Sequence, residues 1–139
     1  MIEETSAGIV IFRKEESKKL FLLLHYPSGH WDFVKGKMEK GEETHETAIR
    51  ETKEETGITD IVFVENFEEW INYNFKYQGE LVQKKVVFFL AETKTKEIEI
   101  SHEHSGYTWM DYNSAMEKTT FDNAKTVLTK AQKLLSNTL

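Results

Sequence analysis

The sequence predicts an α/β (α+β) fold in which a mixed β-sheet is sandwiched between α-helices. Three observations carry that expectation. Short apolar or alternating stretches recur between charged turns, two longer stretches place apolar residues at helical spacing, and the 139-residue length suits one domain around one core. No internal repeat, linker or low-complexity tract breaks the chain, so residues 1–139 are expected to form a single domain.

In chain order, residues 6–12 (SAGIVIF) and 20–26 (LFLLLHY) read as two buried strands joined by the charged turn RKEESKK. Residues 30–36 (HWDFVKG) form a short extended piece ending on glycine, and 61–67 (IVFVENF) another strand. In 70–77 (WINYNFKY) strict alternation puts Ile71, Tyr73, Phe75 and Tyr77 on one face. A turn at Gly79-Glu80 returns the chain into 81–93, a long strand buried at its later end. Residues 95–100 (TKEIEI) read as a weaker strand and 106–111 (GYTWMD) as another. Helical spacing appears in 44–56, where His45, Ala48, Ile49, Thr52 and Thr56 share a stripe and Gly57 is placed to stop the helix. A short helix is expected over 112–118. An amphipathic closing helix spans 121–136, with Phe121, Ala124, Val127, Leu128, Ala131, Leu134 and Leu135 inward.

Composition excludes several chemistries. With no cysteine there are no disulfides, thiolate nucleophiles, iron–sulfur clusters or cysteine zinc sites, which fits a reducing compartment. The acidic start MIEETSAG lacks an apolar signal core, and the longest apolar runs, LFLLL and VVFFLA, are far too short to span a bilayer. A cytoplasmic protein with no membrane partner is expected. Acidic residues outnumber basic ones 24 to 18 and no long basic run appears, which disfavours nucleic-acid backbone binding. A small phosphorylated ligand remains compatible if a metal ion supplies positive charge. No G-x-S-x-G, Walker A or Rossmann glycine motif is present.

The stretch GKMEKGEETHETAIRETKEETGI, residues 36–58, holds seven glutamates. A Glu/Lys-rich helix is ordinarily a solvated face. Here, however, Glu51, Glu54 and Glu55 are related by i, i+3 and i+4, which sets neighbouring Cβ atoms roughly 5–6 Å apart on one face. Carboxylates gathered this way call for a cation, and all-oxygen ligation suits Mg²⁺, with Mn²⁺ as a substitute. Glu42 can reach the same region or pair with Arg50. Lys35 and Lys37 flank Gly36, which with Gly41 permits a tight loop whose backbone approaches ligand or metal.

Gly36, five residues, Glu42, seven residues, then Arg50-Glu51-x-x-Glu54-Glu55-x-Gly57-Ile58 resembles the signature of the Nudix hydrolases. Thr52 departs from the aliphatic residue usual after the Arg-Glu pair. The resemblance implies the Nudix fold and hydrolysis of a nucleoside diphosphate linked to another group. Divalent metals would be held by Glu54, Glu55 and the Gly36 region, Glu51 would be a ligand or activate water, and Arg50 would hold a glutamate in place. The segments SAGIVIFR, FLLLHY, HWDFVKGKMEKGEE, INY, FLAETK and SHEHSGYTWM further resemble the asymmetrical diadenosine tetraphosphate (Ap4A) hydrolases over residues 6–135, with Val34 and Lys40 standing where prolines are usual. That implies cleavage of Ap4A to ATP and AMP. Within SHEH, Glu103 would be a fourth carboxylate or the general base. A polar loop is the plain alternative, and zinc on His102 and His104 lacks a third nitrogen or sulfur ligand. Tyr73 and Phe121 would flank a base, although the alternating strand equally suits a core face. Lys84 or Lys85 would meet an outer phosphate, since only one can face the site, and KKVVFFL favours Lys84. His30 and Lys35 are further phosphate contacts. A monomer is expected. The competing readings are a Nudix enzyme acting on nucleoside triphosphates or the 5′-triphosphate end of RNA, and a non-catalytic nucleotide-binding Nudix protein, disfavoured by the retained Glu42, Glu51, Glu54 and Glu55.

Overall fold

The computed structural model describes residues 1–137. Its central strand, β1 (Ile2–Glu15), is buried on both faces from Ser6 to Arg13, which is why that stretch is a continuous apolar run rather than an alternation. β1 runs parallel to β7 (Glu80–Glu92), from Ile2 opposite Val82 to Phe12 opposite Glu92. Every other pairing is antiparallel, giving a mixed sheet. β2 (Lys18–His25) pairs with the end of β1, and β4 (Val34–Lys37) with its Ser6–Ile9 portion. β3 (Trp31–Asp32) and β8 (Gly106–Met110) pair with β2; β5 (Val62–Phe63) and β6 (Glu69–Tyr77) pair with β7.

Strand alternation divides the core into two layers. Ile9, Ile11, Leu22, Leu24 and Phe89 pack towards Ala48 of helix α1 (Thr44–Thr56). Phe12, Phe21, Leu23, Phe88 and Leu90 pack towards α2 (Tyr112–Lys118) and α3 (Asp122–Ser136), meeting Ala115, Val127, Leu128 and Ala131. The sheet therefore lies between helices, as its strand pattern predicts. Among the described residues no helix is long and apolar enough to cross a membrane.

Five local expectations are corrected. β1 begins at Ile2, and the β1–β2 turn is only Glu16 and Ser17, so Arg13 stays buried in the strand with its guanidinium 5.1 Å from the Trp109 ring centre. The strand expected over 61–67 shrinks to two residues, because the chain turns through Asn66 at φ 67°. Residues 95–100 form no strand. Ile98 is buried there, but the local backbone bonds go to the end of α1, with Glu99 N–H donating to Thr56 O (3.1 Å). On α1 the buried residues are Thr47, Ala48, Thr52, Glu55 and Thr56, while Ile49 is exposed. Phe121 likewise sits at the N-cap of α3, half-exposed rather than inward.

Candidate active site

The site begins where edge strand β4 hands over to α1. The helix is fixed at both ends. Glu46 Oε1 accepts the Glu43 N–H (2.8 Å), and Gly57, at φ 77°, donates its N–H to Lys53 O (3.0 Å). Between these caps Arg50 organises the carboxylates. Its Nε and Nη2 fork onto Glu42 (2.6 and 3.1 Å), its Nη1 reaches Glu51 Oε2 (3.0 Å) and Glu54 Oε2 (3.2 Å), and Nη2 also donates to Lys37 O (3.0 Å). A planar five-donor fork can make this set of contacts; a lysine cannot. Glu51 lies against Gly36 so closely that a Cβ there would stand 2.0 Å from Glu51 Cδ.

The loop after β7 closes the other side. Glu99 N–H and Ser101 N–H donate to Thr56 O and Glu55 O at the end of α1, satisfying carbonyls that a helix terminus leaves open. This brings Glu103 beside Glu55, while His104 goes inside, its Nε2 3.3 Å from Glu55 Oε2. The two atoms lack hydrogen-bond geometry, and both are buried without a hydrogen-bond partner. Tyr26 packs edge-on to His104 (4.5 Å between ring centres) and donates its hydroxyl to Phe33 O (2.7 Å). The resulting cleft, about 440 Å³, is lined by Tyr26, Lys35, Gly36, Glu51, Glu55 and Glu103, among others.

Electrostatically the cleft crowds carboxyls around Glu55. Burial, the Glu103 carboxyl and Glu51 push Glu55 up to about 8. Burial raises Glu51 as well, against the pull of Arg50. By contrast, the hydrogen bonds from Arg50 hold Glu42 down at about 2. Burial lowers His104, so the imidazole is a poor counterion. A hard divalent cation fits this donor set: Glu51, Glu55 and Glu103 face one cleft, and Glu55 Oε2 is a buried acceptor with nothing to accept from. Among the described residues no three such groups already stand together as a ligand cage. Arg50 engages Glu51 and Glu54, and Glu54 is the most solvated of the helix carboxylates it holds.

A second cavity of about 360 Å³ adjoins the cleft and shares Lys35 with it. Its lining includes Asp32, Ile71, Tyr73, Phe121 and Asn123. Lys35 Nζ is 3.1 Å from Asp32 Oδ2. His30 stacks on Tyr26 (4.5 Å, 9°) and lies 5.1 Å from the Phe121 ring. Tyr73 is directly opposite Lys84 across β6 and β7, so the two share a face; Lys85, opposite Asn72, points to the other. Lys84 lines neither cavity and sits 3.8 Å from Glu4 Oε2. Of the residues expected at the site, Gly36, Glu51, Glu55 and Glu103 meet in the cleft. Lys35, Tyr73 and Phe121 meet in the pocket, with His30 at its rim, and Glu54 and Lys84 stand outside both. Two residues escaped the sequence reading, Tyr26 and Asp32, hidden in stretches read as strand or extended chain, and His104 enters it only as a zinc ligand. The SHEH segment singles out Glu103 but gives no sign that its second histidine is buried.

A NUDIX domain profile matches residues 3–131. The chain belongs to the Nudix family. The bis(5′-nucleosyl)-tetraphosphatase [asymmetrical] of Rattus norvegicus is 34% identical to this Nudix chain over 96% of each. A crystal structure of a Caenorhabditis elegans Ap4A hydrolase binary complex superposes with a TM-score of 0.86 at 33% identity, covering 96% of this chain and 98% of that one. The dihydroneopterin triphosphate diphosphatase of Haemophilus influenzae is 28% identical over 85% of this chain and 80% of its own. Nudix hydrolases generally use divalent metal ions.

Proposed function

We propose that this Nudix protein is a Mg²⁺-dependent hydrolase of dinucleoside polyphosphates, acting as a cytoplasmic monomer and taking Ap4A and water to ATP and AMP. One observation carries the reading. Lys35 stands at the junction of an aromatic-sided pocket and an acidic cleft, so a base and a polyphosphate joined in one molecule can occupy both. The similarity to asymmetrical tetraphosphatases over nearly the whole chain supports it.

In this reading Tyr73 and Phe121 flank a base, since every base has a π-face to stack on. Lys35, Lys84 and His30 meet phosphate oxygens. Glu51, Glu54, Glu55, Glu103 and the Gly36 backbone would hold Mg²⁺, or Mn²⁺ in its place. When bound, the ion neutralises phosphate charge and lowers the pKa of water. The chain's own part is positional. Arg50 fixes Glu51 against Gly36, and the stitched loop holds Glu103 across the cleft. Water attacks one phosphorus, Glu51 or Glu103 receives its proton, and the bridging P–O bond breaks so that ATP and AMP leave. Little more is required, because phosphoryl transfer is mainly positioning and electrostatics.

A triphosphate substrate is the second reading, favoured by the similarity to a dihydroneopterin triphosphate diphosphatase. The test is product analysis after incubating pure protein with Mg²⁺ and, in separate arms, Ap4A, nucleoside triphosphates and RNA bearing a 5′ triphosphate, in ¹⁸O water. ATP plus AMP from Ap4A, with the label on one product, is the expected result. Two ADP, or turnover confined to the triphosphates, refutes the reading.

A further inference from the structure

The β6–β7 hairpin carries aromatic residues beyond the pocket. Its two-residue turn, Gln78 and Gly79, has positive φ at both positions (50° and 79°), the geometry of a type I′ turn, which matches strand twist and pins the register. With the register fixed, Tyr73, Phe75 and Tyr77 all project from one face, and all three are exposed, Tyr77 at 61%. Pairing across the sheet extends this face into rows. The first row is Tyr73, Lys84 and Glu4; the second is Phe75, Val82 and Ile2; the third is Tyr77 and Glu80. Successive rows lie two residues apart, roughly 6.5–7 Å. Val82 is only 2% exposed, whereas Phe75 beside it is 37% and Ile2 is 40% exposed. The second row is therefore an apolar shelf open to solvent, its Phe75 ring 6.2 Å from that of Tyr73 in the base pocket.

Beside the shelf, across the sheet from Tyr73, lies positive charge. Glu4 holds Lys37 (3.0 Å) on one side and Lys84 (3.8 Å) on the other, so two ammonium groups stand at the inner border of the shelf. One carboxylate faces two lysines, which leaves net positive charge where a phosphate chain would leave the cleft. Aromatic surface next to lysines suits a nucleotide: the base stacks and the ammonium groups meet phosphate oxygens.

We infer that Phe75, with Tyr77 and Ile2, forms the seat of the second nucleobase of the dinucleoside polyphosphate, while Lys84 and Lys37 carry its phosphates past Glu4. This rests on the dinucleotide reading above and deepens it. The first pocket recognises one adenosine, and the hairpin shelf distinguishes a substrate with two bases from one with a single base. Phe75 and Tyr77 are then specificity residues for the second base and take no part in bond cleavage.

The experiment compares Ap4A with adenosine 5′-tetraphosphate, which has the same phosphate chain and one base. KM is measured for Ap4A, and the inhibition constant of adenosine 5′-tetraphosphate against Ap4A hydrolysis, for the parent, Phe75→Ala, Tyr77→Ala, the double variant and Phe75→Trp. The double variant is expected to raise KM for Ap4A about 5- to 20-fold, the low end for loss of base stacking, with kcat and the inhibition constant unchanged. Phe75→Trp restores the parent KM. The inference is overturned if both constants move together, if neither moves, or if the variants change sedimentation mass while KM holds, which would make the shelf a contact between copies. If the parent protein does not cleave Ap4A at all, the dinucleotide reading itself has failed, an outcome separate from these.

Discussion

Replacing Gly36 by alanine separates catalytic placement from stability. An added Cβ would lie 2.0 Å from Glu51 Cδ and 2.1 Å from Oε2. Ordinary contact between carbon atoms begins near ~3.5 Å, so the carboxyl must retreat by about 1.5 Å. That retreat breaks the 3.0 Å bond from Arg50 to Glu51. What moves is the end of a flexible side chain, so the fold loses about 1 kcal/mol, the low end for overpacking, or a few degrees in Tm. Activity should fall much further, because a displacement of about 1 Å at a catalytic group costs about 100-fold. Ap4A hydrolysis followed by chromatography, beside a thermal melt of the same sample, reads both quantities. A Gly36→Ala protein whose kcat/KM stays within about threefold of the parent refutes the placement of Glu51. A melting loss above about 10 °C would refute the claim that the collision is local.

Acid stability should report the Arg50–Glu42 clamp. Glu42 is held at about 2 against an ordinary 4.5, so its contribution is present above about 4.5 and is lost as pH falls towards 2. The Tm gap between parent and Glu42→Gln should be widest near neutrality and close at the acid end of a melt series; a gap independent of pH contradicts the clamp. Glu55 has the opposite sign. Raised to about 8, it stabilises metal-free protein below about 4.5 and loses that contribution as pH rises through 8. In EDTA the parent should therefore lose Tm across that range. Glu55→Gln should flatten the slope, as should excess Mg²⁺, and a slope unchanged by Mg²⁺ would remove Glu55 from the metal site. Tyr73→Ala should raise KM about 5- to 100-fold with kcat kept, since stacking on an uncleaved base is uniform binding. A fall in kcat at constant KM would take Tyr73 out of the pocket.

Much of this architecture is readable from local pattern. Alternation in 70–77 gives the face of Tyr73 and Phe75, Gly57 marks the end of α1, and the spacing of Glu51 and Glu55 on that helix brings both carboxyls to one cleft. The misses share a cause. Sequence places the buried stripe of α1 on Ile49 because isoleucine is apolar, but the helix must turn Glu51 towards Gly36 and Glu55 towards His104, which leaves Ile49 in solvent and puts Thr47 inside. Ile98 is buried as the alternation of 95–100 suggests, yet the backbone there finds acceptors at a helix end rather than on a neighbouring strand. His104 gains its surroundings from Tyr26 and Glu55, both distant in the chain, so no neighbouring residue reveals it; Asp32 is held locally, by the Phe33 N–H and Lys35.

The two amides donated to the end of α1 make an irregular loop behave as part of a helix. Glu99 and Ser101 carry no ladder of their own, yet their N–H groups are closed off by Thr56 and Glu55. Amide exchange should then release the residues before Glu103 and the last turn of α1 at one common rate, as a single opening unit. Fraying of that turn would withdraw Glu55 and Glu103 from the cleft in the same event.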